Sequence, residues 1–157
     1  MKVVIASDMA GFKLKEAVKA HLIEVGHEVT DVGMQDEDHK MMYVDAAVNM
    51  AEAVQSGSYD KGIIFCGTGA GVSIVVNKFK GIYCVACESL FTGPNSAIIN
   101  NANVLAMGGR VVGPENACAI ADAYLAKTFC EGMEPATKER ITGLYKQVLE
   151  VEARNLK

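Results

Sequence analysis

Ile63-Ile64-Phe65-Cys66-Gly67-Thr68-Gly69-Ala70-Gly71-Val72-Ser73 is the stretch on which the fold of this chain turns. A short apolar run ends in a cysteine, and glycines carry the chain into a second apolar segment. The pattern predicts a buried strand, a tight turn and a helix N-terminus with unpaired N–H groups facing outward. Such a corner attracts anions, because free amides and the helix dipole both favour negative charge. A reactive thiol is also at home there, since the same field favours thiolate over thiol. Cysteine is equally a common core residue, and Cys66 could simply finish the strand. Its place at a strand's carboxyl end, where open α/β sheets bind ligands, favours a functional role. No Gly-Lys-Ser/Thr follows, so the loop is not a Walker loop, and Gly67, Gly69 and Gly71 alternate unlike the dinucleotide fingerprint.

Outward from that corner, strand and helix patterns alternate. Lys2–Ser7 reads as a buried first strand, followed by a helix from Phe12 to about Val25 that Gly26 ends. A second strand is expected over Glu28–Gly33 and a second helix from Tyr43 to about Gln55. Gly62–Phe65 is the third strand, Gly71–Asn77 a helix, Gly81–Cys87 the fourth strand and Leu90–Asn100 another helix. Asn103–Met107 makes a fifth strand. Pro114 and Pro135 suit the first turns of two further helices, to about Phe129 and about residue 152. Alternation of this kind implies βαβ units and a parallel sheet covered on both faces. The apolar stripe Ile141, Leu144, Tyr145, Val148 and Val151 outlasts the needs of the domain, so the last helix is expected to pack on a neighbouring subunit.

The 157 residues make most simply one domain, large enough to bury a real core, and half of them are hydrophobic. A net charge of −4 argues against nucleic acid or an anionic membrane as partner. No apolar run reaches membrane-spanning length, and Met1-Lys2 leads straight into a strand rather than a signal peptide. Five cysteines, an odd number in a core-rich chain, fit reduced thiols better than a disulfide framework. A cytoplasmic protein is expected.

Asp8 ends the first strand at the same sheet edge as Cys66, where a carboxylate either caps the next helix or holds a substrate hydroxyl. Asn100, Asn101 and Asn103 flank the fifth strand's entry, and amides both donate and accept, which suits a sugar or a loop cap. Cys84 and Cys87 form a lone C-x-x-C on a strand that points the two thiols to opposite faces, a poor zinc or redox site. His21, His27 and His39 are scattered and read as surface residues, and Met41-Met42 as local packing.

Ser7-Asp8-x-Ala-Gly-Phe12, Tyr43-Val-Asp45, Cys66-Gly-Thr-Gly-x-Gly71-x-Ser73, Asn77-Lys78 and Asn101-Ala-Asn-Val-Leu105 together resemble the type B ribose-5-phosphate isomerases and the galactose-6-phosphate isomerase subunits. The likeness runs from Met1 to about Arg140. It implies a three-layer α/β/α Rossmann-like sandwich, a homodimer or homotetramer with active sites between subunits, and aldose–ketose interconversion through an enediolate. No metal or other cofactor is implied. In that family the cysteine at Cys66 moves the proton between two carbons and the residue at Thr68 assists at the oxygens. Amides of Gly67, Gly69 and Gly71 would hold the enediolate's charge. Asp8, Tyr43 and Asn100 match sugar-contacting positions, with Met9 and Ser73 beside them in the same motifs.

The departures bear on the substrate. Family ribose enzymes carry a histidine where Met9 stands, and a second, credited with opening the sugar ring, where Ile99 stands. Their two phosphate arginines give way to Glu131-Gly-Met-Glu-Pro-Ala-Thr-Lys-Glu-Arg140, with Arg140 the one plausible match. Arg140 or Arg110 is therefore expected to face the partner's Cys66 corner. An open-chain sugar, a substrate lacking the usual phosphate, or membership of a hetero-oligomer as the cysteine-bearing subunit would each account for these losses. A non-catalytic sugar-binding relative would have no need of Cys66 and Thr68. An active isomerase with an altered substrate is the expectation.

Overall fold

The computed structural model describes residues 1–156, and Lys157, the last residue of the expected domain, lies outside them. Chain order is β1 (Lys2–Ser7), α1 (Phe12–Glu24), β2 (Glu28–Asp31), α2 (Tyr43–Gln55), β3 (Lys61–Cys66), α3 (Ala70–Val76), β4 (Cys84–Ala86), α4 (Thr92–Asn100), β5 (Val104–Gly108), α5 (Pro114–Leu125) and α6 (Pro135–Asn155). The strands form one sheet in the order β2-β1-β3-β5-β4, every pair parallel. The Rossmann-like sandwich expected from the sequence is the fold observed.

Alternation along the buried strands builds two cores. Val3 and Ile5 of β1, Ile63 and Phe65 of β3, and Leu105 and Met107 of β5 meet Leu14, Val18 and Leu22 of α1 and Ile120 and Tyr124 of α5. Val4, Ala6, Ile64, Cys66 and Ala106 turn the other way, onto Ala47, Met50 and Ala51 of α2 and Val72 and Val76 of α3. Each buried Val, Leu, Ile or Phe contributes about 1.5–3 kcal/mol, so both layers are needed to offset chain entropy. Cys84 and Cys87 lie in different cores, as their spacing predicts.

β4 is shorter than the stretch Gly81–Cys87 expected from its composition. Side chains do part of the ladder's work there: Asn77 amide groups pair with both the N–H and the carbonyl of Cys84, and the Asn103 carboxamide oxygen accepts the Tyr83 N–H at 2.8 Å. α5 also ends four residues early, because the Glu131 carboxylate accepts the Thr128 N–H at 3.0 Å and closes a turn. The stripe on α6 is divided by its docking. Ile141 is buried, Tyr145 packs edge-on to Tyr83 with centroids 5.6 Å apart, and Glu152 accepts the Gly81 N–H. Leu144, Val148 and Val151 stay exposed.

A charge cluster that hydrophobic patterning does not reveal clamps the end of β2 onto α1. Lys15 is fully buried, with its ammonium on Asp31 and on the Met34 carbonyl, and Lys19 reaches the same carboxylate at 2.8 Å. Burial would push the Asp31 carboxyl up, but hydrogen bonds from Lys15, Lys19 and the Gly33 N–H outweigh it and hold the group below the usual carboxylate range. A depressed carboxyl stabilises the fold fully above its ordinary value of 3.8, and loses that contribution as pH falls through the lower folded value. Asp31→Asn is expected to cost about 3–5 kcal/mol at neutral pH, by leaving Lys15 under-compensated. Urea denaturation should find the gap between variant and parent narrowing as pH falls below 3.8 and through the lower folded value of Asp31.

Candidate active site

β1, β3 and β5 end level with one another, since Ser7 pairs with Phe65 and Cys66 with Gly108. The loops that follow therefore meet over one sheet edge. Cys66, 5% exposed, closes β3, and its Sγ accepts the Gly69 N–H at 3.1 Å. The other thiols are placed differently: Cys87 donates to the Ser89 carbonyl, and burial pushes Cys84 up to about 12. A sulfur that accepts from a backbone amide is poised to carry negative charge, and Cys66 alone among these three is so placed.

The turn that delivers this contact depends on two glycines. Gly69 has φ +80°, in the left-handed region, with its missing Cβ facing the Met107 backbone at 3.1 Å. A Cβ on Gly108 would stand 2.6 Å from the Thr68 carbonyl carbon, so β5 and the loop touch backbone to backbone. The first bond of α3 runs from the Ser73 N–H to the Gly69 carbonyl. The Gly71 and Val72 amides precede it with no acceptor in the helix, and they can serve a substrate oxygen. The expected trio of Gly67, Gly69 and Gly71 is thus divided, because Gly69 gives its N–H to the sulfur.

The remaining candidates fall into two groups. Asp8 Oδ1 accepts the Ala10 and Gly11 amides at 2.8 and 2.9 Å, so this oxygen caps the entry to α1, while Oδ2 takes no hydrogen bond among the described residues. The Tyr43 ring lies against Gly71, 3.1 Å from the position a Cβ would take. Thr68 is exposed at the loop's tip, its Oγ1 3.4 Å from the Ala70 N–H. Met9, 43% exposed, lines a depression of about 390 Å³ with Phe12, Met34 and Gly109. Arg110 lies beside the loop of its own chain. Its N–H bonds the Gly67 carbonyl at 3.0 Å, and its Nε lies 3.8 Å from the position of a Gly67 Cβ, beside its own Cys66.

Three residues stand apart. Ser73 donates to the Ala70 carbonyl within its own helix. Asn100 ends α4, whose nine residues run roughly 13 Å back down the sheet, so it lies at the edge opposite Cys66. Arg140 is exposed on the second turn of α6. Among the described residues no three His, Cys, Asp or Glu side chains gather closely enough to share a metal ion. No helix is long and apolar enough to cross a membrane.

A thiol held by a backbone amide, with free amides just beyond it at a helix start, is an arrangement suited to proton transfer of the enediolate type. The chain belongs to the Ribose/Galactose Isomerase family, whose pattern it matches over residues 3–144. It is 40% identical to 4-deoxy-4-sulfo-D-erythrose isomerase of Clostridium sp. (strain MSTE9), over 97% of this chain and 96% of that one. Ribose-5-phosphate isomerase B of Escherichia coli (strain K12) is 41% identical over 91% and 95%. The solved structure of Clostridium thermocellum ribose-5-phosphate isomerase B superposes with a TM-score of 0.88 at 37% identity, covering 98% and 99%. The chain's chemistry is accordingly aldose–ketose isomerisation.

Proposed function

We propose that this isomerase acts on an open-chain, four-carbon sugar with an anionic end group, and that Cys66 is its base. The observation that carries the substrate is Ile99, an aliphatic residue at the position the family's ribose enzymes give to ring opening. Closing a furanose needs a free hydroxyl on C4. A tetrose blocked at C4 by phosphate or sulfonate cannot close one, and needs no residue to open it. The sulfo-erythrose relative is named for a substrate of this kind.

The Cys66 thiolate removes the proton from C2 of the aldose, and the C–H electrons form the C1–C2 double bond as charge moves onto O1. The Gly71 and Val72 amides receive that charge. Thr68 relays the O2 proton to O1, and the thiol returns its proton to C1, leaving the ketose and restoring the thiolate. Asp8 and Tyr43 hold hydroxyls, and Arg110 faces the anionic end. The full site is an assembly of at least two copies, in which Asn100 and Arg140 reach a neighbour's Cys66 corner and the exposed Leu144, Val148 and Val151 of α6 help to join the copies.

Tetrose 4-phosphate and 4-deoxy-4-sulfotetrose, each assayed against ribose 5-phosphate in deuterated water, test the substrate. The tetroses should isomerise with label incorporation, and the pentose should go no faster than its ring opens in solution. Equal turnover of the pentose by the purified chain would overturn the open-chain assignment.

A further inference from the structure

Two depressions flank Gly109, whose N–H is bonded to the Cys66 carbonyl at 2.8 Å, so both lie beside the strand end that Cys66 closes. Lys13, Leu14 and Gly109 line both of them. One, of about 350 Å³, adds Arg110, and the other adds Lys40. Lys13, Lys40 and Arg110 form no ion pair among the described residues, whereas Lys15, Lys19 and Lys127 each hold a carboxylate. One acid, Glu37, shares this rim. In a chain of net charge −4, this rim carries a local excess of positive charge that Glu37 offsets only in part.

We infer that Lys13, assisted by Lys40, binds the terminal phosphate or sulfonate of the substrate from the same chain as Cys66, and so sets the preference for an anionic sugar. This rests on the open-chain reading of the site. Lys13 is the second residue of α1, whose entry Asp8 fixes through the Ala10 and Gly11 amides. Its backbone is thus held relative to Cys66 while its side chain remains exposed and free to close on an anion. An ammonium is a point charge with three rotatable donors. It suits a phosphate and a sulfonate alike, since both offer three terminal oxygens.

The test compares the parent with Lys13→Met, Lys40→Met and Lys13→Arg. Substrates are tetrose 4-phosphate, 4-deoxy-4-sulfotetrose and an uncharged 4-O-methyl tetrose, which likewise cannot close a furanose. Lys13→Met should lower the preference in kcat/KM for each charged sugar over the uncharged one by at least about tenfold, the worth of a charge-assisted hydrogen bond. The loss should fall on KM and shrink as salt is raised, and Lys13→Arg should recover most of it. A loss for one anion alone identifies which end group the rim takes. Calorimetric binding of 4-phosphoerythronate, which cannot react, reads the same rim without turnover. If the parent isomerises no tetrose yet Lys13→Met weakens that binding, the open-chain reading fails and the anion site stands. If tetroses turn over but neither the preference nor the binding changes in Lys13→Met, the anion site is overturned.

Discussion

Cys66→Ser is expected to fold as the parent does, to bind substrate, and to exchange the substrate's C2 proton about 10²–10⁴-fold more slowly. The side chain is small and sits at a strand end, and a serine Oγ can accept the same Gly69 amide that the sulfur accepts at 3.1 Å. The protonation chemistry changes instead. A thiol yields its proton near neutrality, while an alcohol does not, so the variant lacks a base in the ionised state. Exchange of the C2 proton with solvent deuterium, followed by NMR, isolates that step from product release. A rate within about tenfold of the parent would assign the proton transfer to another group, with Asp8 Oδ2, a carboxylate oxygen at the same sheet edge and outside the cap, the next to test. Cys84→Ser and Cys87→Ser serve as controls, because both thiols lie in the cores and both are pushed up by burial.

Sequence alone carried most of the fold because the strands obey their periodicity. β1 and β3 are buried on both faces and read as continuous apolar runs, and α2 begins and ends where its pattern does. The glycine corner was equally legible, since a cysteine at a strand end followed by alternating glycines leaves few other geometries. What the sequence concealed depends on distance in space. Arg110 lies beside its own Gly67 because β5 is the neighbour of β3, and that adjacency appears only in the sheet order. Lys15 reads as a solvated helix residue until the Gly33 turn is seen against Ser7, with the Met34 carbonyl placed over the ammonium. The division of labour among the loop amides was hidden for the same reason, because the Gly69 N–H turns back to Cys66 only in the left-handed conformation that Gly69 adopts.

Two inactive variants are expected to make an active enzyme when mixed. Asn100 lies at the sheet edge opposite Cys66 and its side chain makes no hydrogen bond among the described residues, so Asn100→Ala should fold normally. If Asn100 holds the sugar, it does so for a neighbour, and the homo-oligomer of Asn100→Ala loses the contact in every site. Cys66→Ser loses the base in every site. In a mixed dimer of the two, one site receives both defects and the other receives neither. Random exchange of subunits puts half the molecules in mixed dimers, so about a quarter of all sites are intact and activity should return to about a quarter of the parent's. Arg140→Ala should behave as Asn100→Ala does, since it too is remote from its own Cys66. Arg110→Ala should act from the other side: its Nε lies 3.8 Å from the position of a Cβ on its own Gly67, so mixing it with Cys66→Ser leaves neither site intact, whereas mixing it with Asn100→Ala leaves one of the two intact if Asn100 reaches across. Subunits exchanged through mild denaturation and refolding, then assayed for C2 exchange, give the answer. Activity that stays at the level of the separate variants, in a mixture shown by mass spectrometry to contain mixed dimers, would place every catalytic group within a single chain.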